Sequence, residues 1–225
     1  SLQTMDVDYI LFLIFILSIV VQLYFYLFVY YRWTKNEEKT ETFTQAVSVI
    51  ICGYNEEKHW EALVEQLLQQ DYPNFEIVLV NDQSTDNTKF LFKQWESHPK
   101  IKLVDIPESI KKGLGKKFAL SLGIKAAKYD YLLLTDADCY PKDASWISSM
   151  VQHFATKDIV LGYGAYEKRP GFLNKLIRFD TFQVAIQYFS YALMGKAYMG
   201  VGRNLAYKKE LFFENKGFAS HLHLP

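Results

Sequence analysis

The chain has 225 residues, half of them hydrophobic, and its 25 Lys and Arg residues balance its 25 Asp and Glu residues. Because no excess of positive charge is available to meet a phosphate backbone, this balance argues against a nucleic-acid partner. The two cysteines, Cys52 and Cys139, have no partner at metal-binding spacing, and they favour a reduced compartment over a disulfide framework.

The first 34 residues are predicted to form a transmembrane anchor. From Tyr9 to Tyr31 the chain is apolar apart from Ser18 and Gln22, which is about the 20 residues that a helix needs to cross a bilayer. A cleaved signal peptide, the main alternative, has a shorter apolar core and a basic leading end, whereas Asp6 and Asp8 precede this stretch. A packing helix within a larger membrane protein is a second alternative and preserves the same topology.

Basic and aromatic residues follow the apolar stretch at its C-terminal end. By the positive-inside rule, Arg32, Lys35 and Lys39 place the following domain in the cytosol. Aromatic residues of the kind found at membrane interfaces cluster at the same end, namely Tyr24, Tyr26, Tyr30, Tyr31 and Trp33. We therefore expect a single-pass membrane protein in which an anchor (1–34) is joined by a linker (35–45) to a cytosolic domain (46–225).

Beyond residue 45, β-branched apolar runs alternate with amphipathic stretches. This alternation is typical of an α/β domain in which helices flank a mostly parallel sheet. The predicted strands are 46–52, 76–80, 101–106 and 131–135, with a further extended segment at 159–165. The predicted helices are 57–70, one through Phe90 and Trp95, 117–128, 146–154 and 172–193.

Polar residues follow three of the predicted strands, and ligands of such sheets bind at the carboxyl ends of the strands. These residues are 54–56, Asn81 with Asp82, and Asp136 with Asp138. Asp136 and Asp138 could hold one hard cation, which would bridge the oxygens of a diphosphate. An isolated Asp-x-Asp is more often a turn with helix caps, but Asp82 at a neighbouring strand end favours the cation site.

The other strand-end residues each have a structural alternative. Asp82 could accept a hydrogen bond from a uracil-type base or hold a ribose hydroxyl. It could also form an Asx-turn or a helix cap, although Ser84 and Asp86 are better placed for capping. Asn55 and Glu56 suit the start of a helix as well as they suit a base contact.

A basic, glycine-containing segment, residues 111–117, precedes the third predicted helix of the α/β domain and includes Lys116. It could contact phosphate oxygens, or it could be a solvated loop. It does not match a P-loop, which has four residues between its glycines and Ser or Thr after its lysine. No Gly-x-Gly-x-x-Gly follows a strand, which argues against a dinucleotide oxidoreductase.

Five short segments occur in a fixed order along the chain. They are residues 49–57 (VIICGYNEE), 80–88 (VNDQSTDNT), 115–120 (GKKFAL), 134–138 (LTDAD) and 200–207 (GVGRNLAY). The first four strongly resemble motifs of the family-2 glycosyltransferases, and the fifth is similar to the acceptor-side strand of that family. The resemblance covers about residues 47–225. It implies the GT-A fold, a Rossmann-like, mostly parallel sheet that binds a nucleoside diphosphate sugar.

The resemblance also implies a role for each matching position. Asp82 contacts the nucleobase, Tyr54 and Glu56 line the nucleoside pocket, Lys116 lies near the nucleoside or diphosphate, Asp136 lies near the ribose or sugar, Asp138 binds Mg²⁺ or Mn²⁺, and Gly202 and Asn204 lie on the acceptor side. The chain departs from the family pattern at Ser121, where the family usually has Asn.

The activity implied by the resemblance is that of an inverting hexosyltransferase. It moves a sugar from a nucleoside diphosphate sugar, expected to be a UDP-sugar, to a hydroxyl acceptor that is lipid-linked or a polysaccharide. Such an in-line displacement needs a general base. The family places an acidic base beyond a Gly-Phe segment that Gly217 and Phe218 resemble. We expect this base beyond Pro225, in a chain that continues there.

Two other functions stay open at this stage. A membrane-tethered protein could bind nucleotide sugars without catalysis. A phosphatase of the haloacid-dehalogenase type also places Asp-x-Asp after an apolar strand, but it requires Thr at the position of Tyr140. The helix 172–193 is interpreted as a core helix, with an acceptor-channel wall or a membrane-surface helix as alternatives.

Overall fold

A computed structural model of the protein describes residues 2–34, 42–107 and 115–218. The chain forms two compact units: Ser1–Lys39 with Ala165–Gly200, and Thr40–Gly164 with Val201–Pro225. Most of the predicted linker and the basic residues 35, 39, 111 and 112 lie outside the described residues. The domain boundaries expected from the sequence stay a prediction.

The elements follow one another in the predicted order. They are α1 (Leu2–Tyr24), a π-helical segment (Phe25–Tyr30), α2 (Tyr31–Thr34), β1 (Val47–Gly53), α3 (Glu57–Leu68), β2 (Phe75–Asn81), α4 (Thr88–Gln94), β3 (Ile101–Asp105), α5 (Gly115–Ala126), β4 (Tyr131–Asp136), α6 (Trp146–Val151), a 3-10 helix (Gln152–Ala155), β5 (Ile159–Leu161), α7 (Phe172–Leu193), a second 3-10 helix (Gly202–Asn204), β6 (Leu205–Lys208) and α8 (Lys209–Glu214).

The first unit contains α1, α2 and α7. A continuous helical stretch from Val7 to Trp33, 27 residues long, is apolar enough to cross a membrane. Most of its large apolar side chains are exposed, as Phe12 and Phe15 illustrate, although Val29 near its C-terminal end is buried. By length and composition, the predicted anchor therefore qualifies as a membrane span.

The second unit is built on a six-stranded sheet with the strand order β3-β2-β1-β4-β6-β5. Strand β1 is parallel to β2 and β4, and β2 is parallel to β3. Strand β6 is antiparallel to both β4 and β5. The mostly parallel sheet with flanking helices is thus confirmed, and the antiparallel edge is a feature that the sequence did not predict.

Both faces of the sheet are covered, which explains why the strands are apolar without alternation. Val49 and Ile51 of β1 belong to one apolar cluster with Trp60 of α3. Ile50 belongs to the other cluster, with Ile124 of α5. Successive side chains of a strand point to opposite faces, so each face of β1 packs against its own layer of helices.

The register of the strands determines how their carboxyl ends line up along the edge of the sheet. Gly53 at the end of β1 pairs with Asn81 at the end of β2. Cys52 pairs with Asp136 at the end of β4. The polar residues that follow these three strands therefore emerge at one edge of the sheet.

Candidate functional site

A cavity of about 250 Å³ lies at this edge. Its lining contains each residue to which the resemblance assigns a donor or metal contact, together with three neighbours: Cys52, Gly53, Tyr54, Glu56, Asp82, Lys116, Asp136, Ala137 and Asp138. Asn55, for which a base contact was left open, is not among them. The fold thus brings together side chains from the ends of β1, β2 and β4 and from the first turn of α5. Gly202 and Asn204, predicted on the acceptor side, are not among the lining residues.

One wall of the cavity carries a group of metal-ligand atoms. Ligand atoms of Asp136, Asp138 and Cys139 all lie within 4.8 Å of one another. Burial and the two carboxylates raise the pKa of the Cys139 thiol to about 12, so this thiol is neutral at physiological pH. The charged donors of the group are therefore the carboxylates, which suit a hard cation such as Mg²⁺ or Mn²⁺.

Lys116 places a positive charge against this acidic group. Its Nζ atom lies 2.5 Å from Oδ1 of Asp136. The Lys116 side chain is 62% exposed and that of Asp136 is 30% exposed, so the pair faces the solvent of the cavity. A diphosphate in the cavity would meet this ammonium group as well as a cation held by the carboxylates.

The loop after β1 is hydrogen-bonded to the loop after β2. Asn55 has a left-handed backbone with φ of 56°, and its Oδ1 accepts a hydrogen bond of 2.7 Å from the backbone N–H of Thr85. In return, the backbone N–H of Asn55 donates to Oγ of Ser84 at 2.9 Å. The Asn55 side chain thus binds the neighbouring loop, and the N-cap position of α3 is occupied by Glu56 without a side-chain capping bond.

A second connection between the same loops is made by Asp86. One carboxylate oxygen accepts from the backbone N–H of Glu57 in α3 and the other from that of Thr88 in α4, both at 3.0 Å. The N-cap position of α4 is Asn87, so neither Ser84 nor Asp86 is the cap that the sequence predicted. The Asp86 carboxylate instead joins the first residues of α3 and α4. Partial burial raises the pKa of Asp86, but the hydrogen bonds from Thr88 and Glu57 outweigh it and hold this pKa below its usual value.

The turn chemistry around Asp82 is supplied by its neighbours. Asn81 Oδ1 accepts a hydrogen bond of 3.0 Å from the backbone N–H of Ser84, which is an Asx-type turn. The backbone N–H of Asp82 donates to the carbonyl of Gly53 at 2.9 Å. The side chain of Asn81 therefore forms the turn, and the neighbouring residue Asp82 lines the cavity.

Two further residues near the cavity were not predicted from the sequence. His59 and Tyr140 form a hydrogen bond of 2.7 Å between Nδ1 and the phenol oxygen. His59 Nε2 also lies 3.7 Å from a carboxylate oxygen of Glu56. Burial, together with Asp138 and Glu56, raises the pKa of Tyr140. This pair connects the start of α3 to the loop after Asp138, across 81 residues of sequence that carry no local signal of the contact.

The predicted acceptor-side residues lie near β6. The amide of Asn204 accepts a hydrogen bond from Trp146 Nε1 and donates one to the carbonyl of Tyr163, each of 3.1 Å. A Cβ atom on Gly162 would lie 2.3 Å from that amide, whereas a Cβ atom on Gly202 would meet no atom within 4 Å. Asn204 therefore has a structural role in positioning the chain after β5, and contact with an acceptor stays a prediction for both Gly202 and Asn204.

The family is shown by comparison with known sequences. The profile of "Glycosyl transferase family 2" matches residues 48–214, and the chain belongs to this family. A glycosyltransferase of Haemophilus influenzae is 33% identical over 53% of the chain and 36% of its own length. The poly-beta-1,6-N-acetyl-D-glucosamine synthase of Staphylococcus aureus is 32% identical over 53% of the chain and 29% of its own length. The chain thus spans about a third of these relatives.

Solved structures show the same fold. The mannosyltransferase PcManGT from Pyrobaculum calidifontis, in complex with GDP-Man and Mn²⁺, has a TM-score of 0.65 and 26% identity, over 89% of the chain and 55% of its own. TarS (1–349) of S. aureus in complex with UDP-GlcNAc has a TM-score of 0.54 and 20% identity, over 76% of the chain and 47% of its own. The predicted GT-A fold and the predicted membership of glycosyltransferase family 2 are confirmed.

Proposed function

We propose that the cavity binds a nucleoside diphosphate sugar, preferentially a UDP-sugar, and that the protein transfers the sugar with inversion to a hydroxyl acceptor. The observation that carries this proposal is the convergence of the strand-end residues on one cavity of about 250 Å³. This volume lies just below the usual range of about 300–1,000 Å³ for small-molecule sites. Its mixture of carboxylates, one lysine and one tyrosine suits a ligand with a base, hydroxyl groups and a diphosphate.

Each part of the proposed ligand has a counterpart in the lining. Tyr54 is 57% exposed and offers a ring face to the nucleoside, while carboxylates of Glu56 and Asp82 can accept from a base N–H or a ribose hydroxyl. Lys116 is the cation for the diphosphate. Asp136, which pairs with Lys116, contacts the ribose or the sugar.

The carboxylates of Asp138 and Asp136 would hold Mg²⁺ or Mn²⁺, with Asp138 as the principal ligand. This choice is supported by the grouping of their oxygen atoms and by the preference of these cations for carboxylate ligands. A cation bound there would offset the charge of the departing diphosphate. The presence of Mn²⁺ in the PcManGT complex agrees with this assignment.

We also propose that the reaction takes place at the cytosolic face of a membrane, on a lipid-linked or polysaccharide acceptor. The stretch Val7–Trp33 supports the membrane location, and Arg32 at its end supports the cytosolic orientation. The name of the S. aureus relative, a polysaccharide synthase, supports the acceptor class. Protease added to intact cells is expected to spare the second unit, and its cleavage there would contradict the orientation.

Calorimetric titration tests the donor site. We expect UDP to bind the full chain more tightly with Mn²⁺ than without it, and more tightly than GDP. Asp138→Ala should abolish the gain from Mn²⁺. Asp130→Ala is the matched control, because Asp130 is exposed at the opposite end of β4 and its loss should leave the Mn²⁺ gain intact. Equal UDP affinity with and without Mn²⁺, in both the parent chain and Asp138→Ala, would contradict the proposed metal–diphosphate site.

A further inference from the structure

The first two turns of α7 carry an exposed apolar face. Phe172 is 80% exposed, Leu173 67%, Leu176 50% and Phe179 58%. Their spacing of i, i+1, i+4 and i+7 places them on adjoining positions of one helix face. We call these four residues the α7 patch. Exposed apolar side chains grouped in this way mark a surface that contacts another apolar phase.

The other end of α7 packs against the end of the apolar stretch Val7–Trp33. The Trp33 ring stacks on Phe189 with centroids 6.3 Å apart, and it meets Phe182 edge-on at 6.1 Å. These residues all belong to the first unit. Trp33 ends the membrane-span candidate, and aromatic residues at such ends lie at the headgroup level. This contact therefore ties α7 to the level of the membrane surface.

The charges around the α7 patch suit an anionic lipid surface. Residues 167–180 contain the acidic residues Glu167 and Asp180 and a larger number of basic residues, Lys168, Arg169, Lys175 and Arg178. Basic residues beside an apolar helix face attract anionic headgroups while the apolar side chains enter the boundary with the acyl chains. Asp180 is itself exposed and follows Phe179 directly, so the patch ends where the face turns acidic.

We propose that the α7 patch inserts into the headgroup boundary of an anionic leaflet and forms a second membrane contact of the first unit. The inference rests on the proposed membrane location of Val7–Trp33 and adds a surface-bound helix to it. The α7 patch binds lipid in this proposal, because the membrane-span candidate of the same unit ends at Trp33 and Trp33 packs against α7. A second copy of the chain, or another protein, is an outcome that the test must separate from lipid.

An environment-sensitive fluorophore at single cysteines provides the test. Cys52 and Cys139 are replaced by Ser, and one label is placed at Leu176→Cys or Phe179→Cys in the full chain, reconstituted in phosphatidylcholine vesicles with phosphatidylglycerol. Phe15→Cys reports insertion of α1. Glu61→Cys, exposed on α3, is the solvent control. Brominated lipid is then added to the bilayer to quench labels that lie in it.

Labels on the α7 patch are expected to show blue-shifted emission and quenching by brominated lipid, with the Phe15 label quenched more and the Glu61 label unaffected. If the Phe15 label is quenched while the patch labels behave like the Glu61 label, the inference is wrong and the membrane span stands. An unquenched Phe15 label overturns the membrane location itself. A blue shift at the patch without bromolipid quenching shows a protein partner and also overturns the inference.

The charge contribution is tested in the same vesicles. We expect Lys175→Gln combined with Arg178→Gln to lower the ratio of membrane-inserted to uninserted α7 in phosphatidylglycerol-containing vesicles by roughly 25-fold, since each basic residue near an anionic surface contributes about a factor of five. Phosphatidylcholine alone should show little difference. The matched control removes two exposed lysines elsewhere, Lys58→Gln with Lys93→Gln, and should change nothing. The same loss in both double variants would contradict a specific role of the α7 charges.

Discussion

The ammonium group of Lys116 lies 2.5 Å from the carboxylate of Asp136, so the first turn of α5 is joined to the end of β4 inside the cavity. This pair lies in the solvent-exposed part of the cavity, where an ion pair contributes only about 0–1 kcal/mol to the stability of the fold. Under the proposed function, Lys116 is the cation that a diphosphate would meet. We therefore expect the pair to affect nucleotide binding more than folding.

Replacing Lys116 should separate these two effects. We expect Lys116→Gln to weaken UDP binding by roughly 10- to 100-fold, because a charge-assisted hydrogen bond contributes about 1.5–3 kcal/mol. The melting temperature should change little. Lys125→Gln, on the exposed last turn of the same helix, is the matched control and should retain the affinity of the parent chain. Titration calorimetry and thermal unfolding measure the two quantities, and unchanged affinity in Lys116→Gln would remove the residue from the donor site.

Asn55 allows its backbone and its side chain to be tested apart. Glycine adopts a φ of 56° without strain, whereas Ala in that conformation costs about 1–2 kcal/mol. Both substitutions lose the hydrogen bond to Thr85. We expect Asn55→Ala to be less stable to denaturant than Asn55→Gly by about 1 kcal/mol. Both variants should bind UDP more weakly, since Tyr54 and Asp82 sit on the two loops that Asn55 joins. If Asn55→Gly matches the parent chain in both assays, the bridge between the loops is without consequence.

The ionised carboxylate of Asp86 is expected to stabilise the fold in a pH-dependent way. Its pKa in the folded protein is lowered from the ordinary value of 3.8, so its contribution is present above pH 3.8 and is lost as the pH falls through the lower folded value. Asp86→Ala should cost about 1 kcal/mol or more near pH 7, because the two hydrogen bonds that its carboxylate accepts are lost. The difference from the parent chain should shrink as the pH falls below 3.8. Thermal unfolding across this range measures it, and a difference that is constant with pH would contradict the role of the ionised carboxylate.

Gly162 and Gly202 both lie near β6, but only Gly162 has a neighbouring side chain where a Cβ atom would be placed. In Gly162→Ala the new methyl group would collide with the Asn204 amide at 2.3 Å, and overpacking of this kind costs about 1–3 kcal/mol. Gly202→Ala meets no atom within 4 Å and should change stability by less than about 0.5 kcal/mol. If an acceptor approaches Gly202, the Gly202→Ala variant should transfer sugar more slowly while binding UDP normally. Unchanged transfer would place the acceptor elsewhere.

The parallel part of the fold was predictable because it depends on local sequence. Strands β1, β2 and β4 are apolar runs that end at polar residues, and their alternation with helices fixes both the sheet class and the edge at which ligands bind. The helix α7 also has the predicted bounds, since its hydrophobic pattern is long. Strands β5 and β6 are short, and the pairing of β6 against β4 depends on tertiary contacts that no local pattern encodes.

The residues lining the cavity were predictable for the same reason, but their hydrogen-bond partners were not. Asn55 and Asp86 have side chains that suit the start of their own helices, and sequence alone cannot distinguish this from a bond to a neighbouring loop. The strand register brings the two loops side by side, and the side chains of Asn55 and Asp86 therefore bond to the neighbouring loop. The contact of His59 with Tyr140 has the same origin, since both residues are positioned by the sheet.

The loops after β1 and β2 are joined by hydrogen bonds between protein groups. Under the proposed function, these bonds set the course of the chain around the predicted base pocket, and the side chains that line the pocket distinguish one base from another. A change from one nucleotide to another would require substitution at positions such as Tyr54 or Asp82, while insertions in either loop would break the connections that keep both in place.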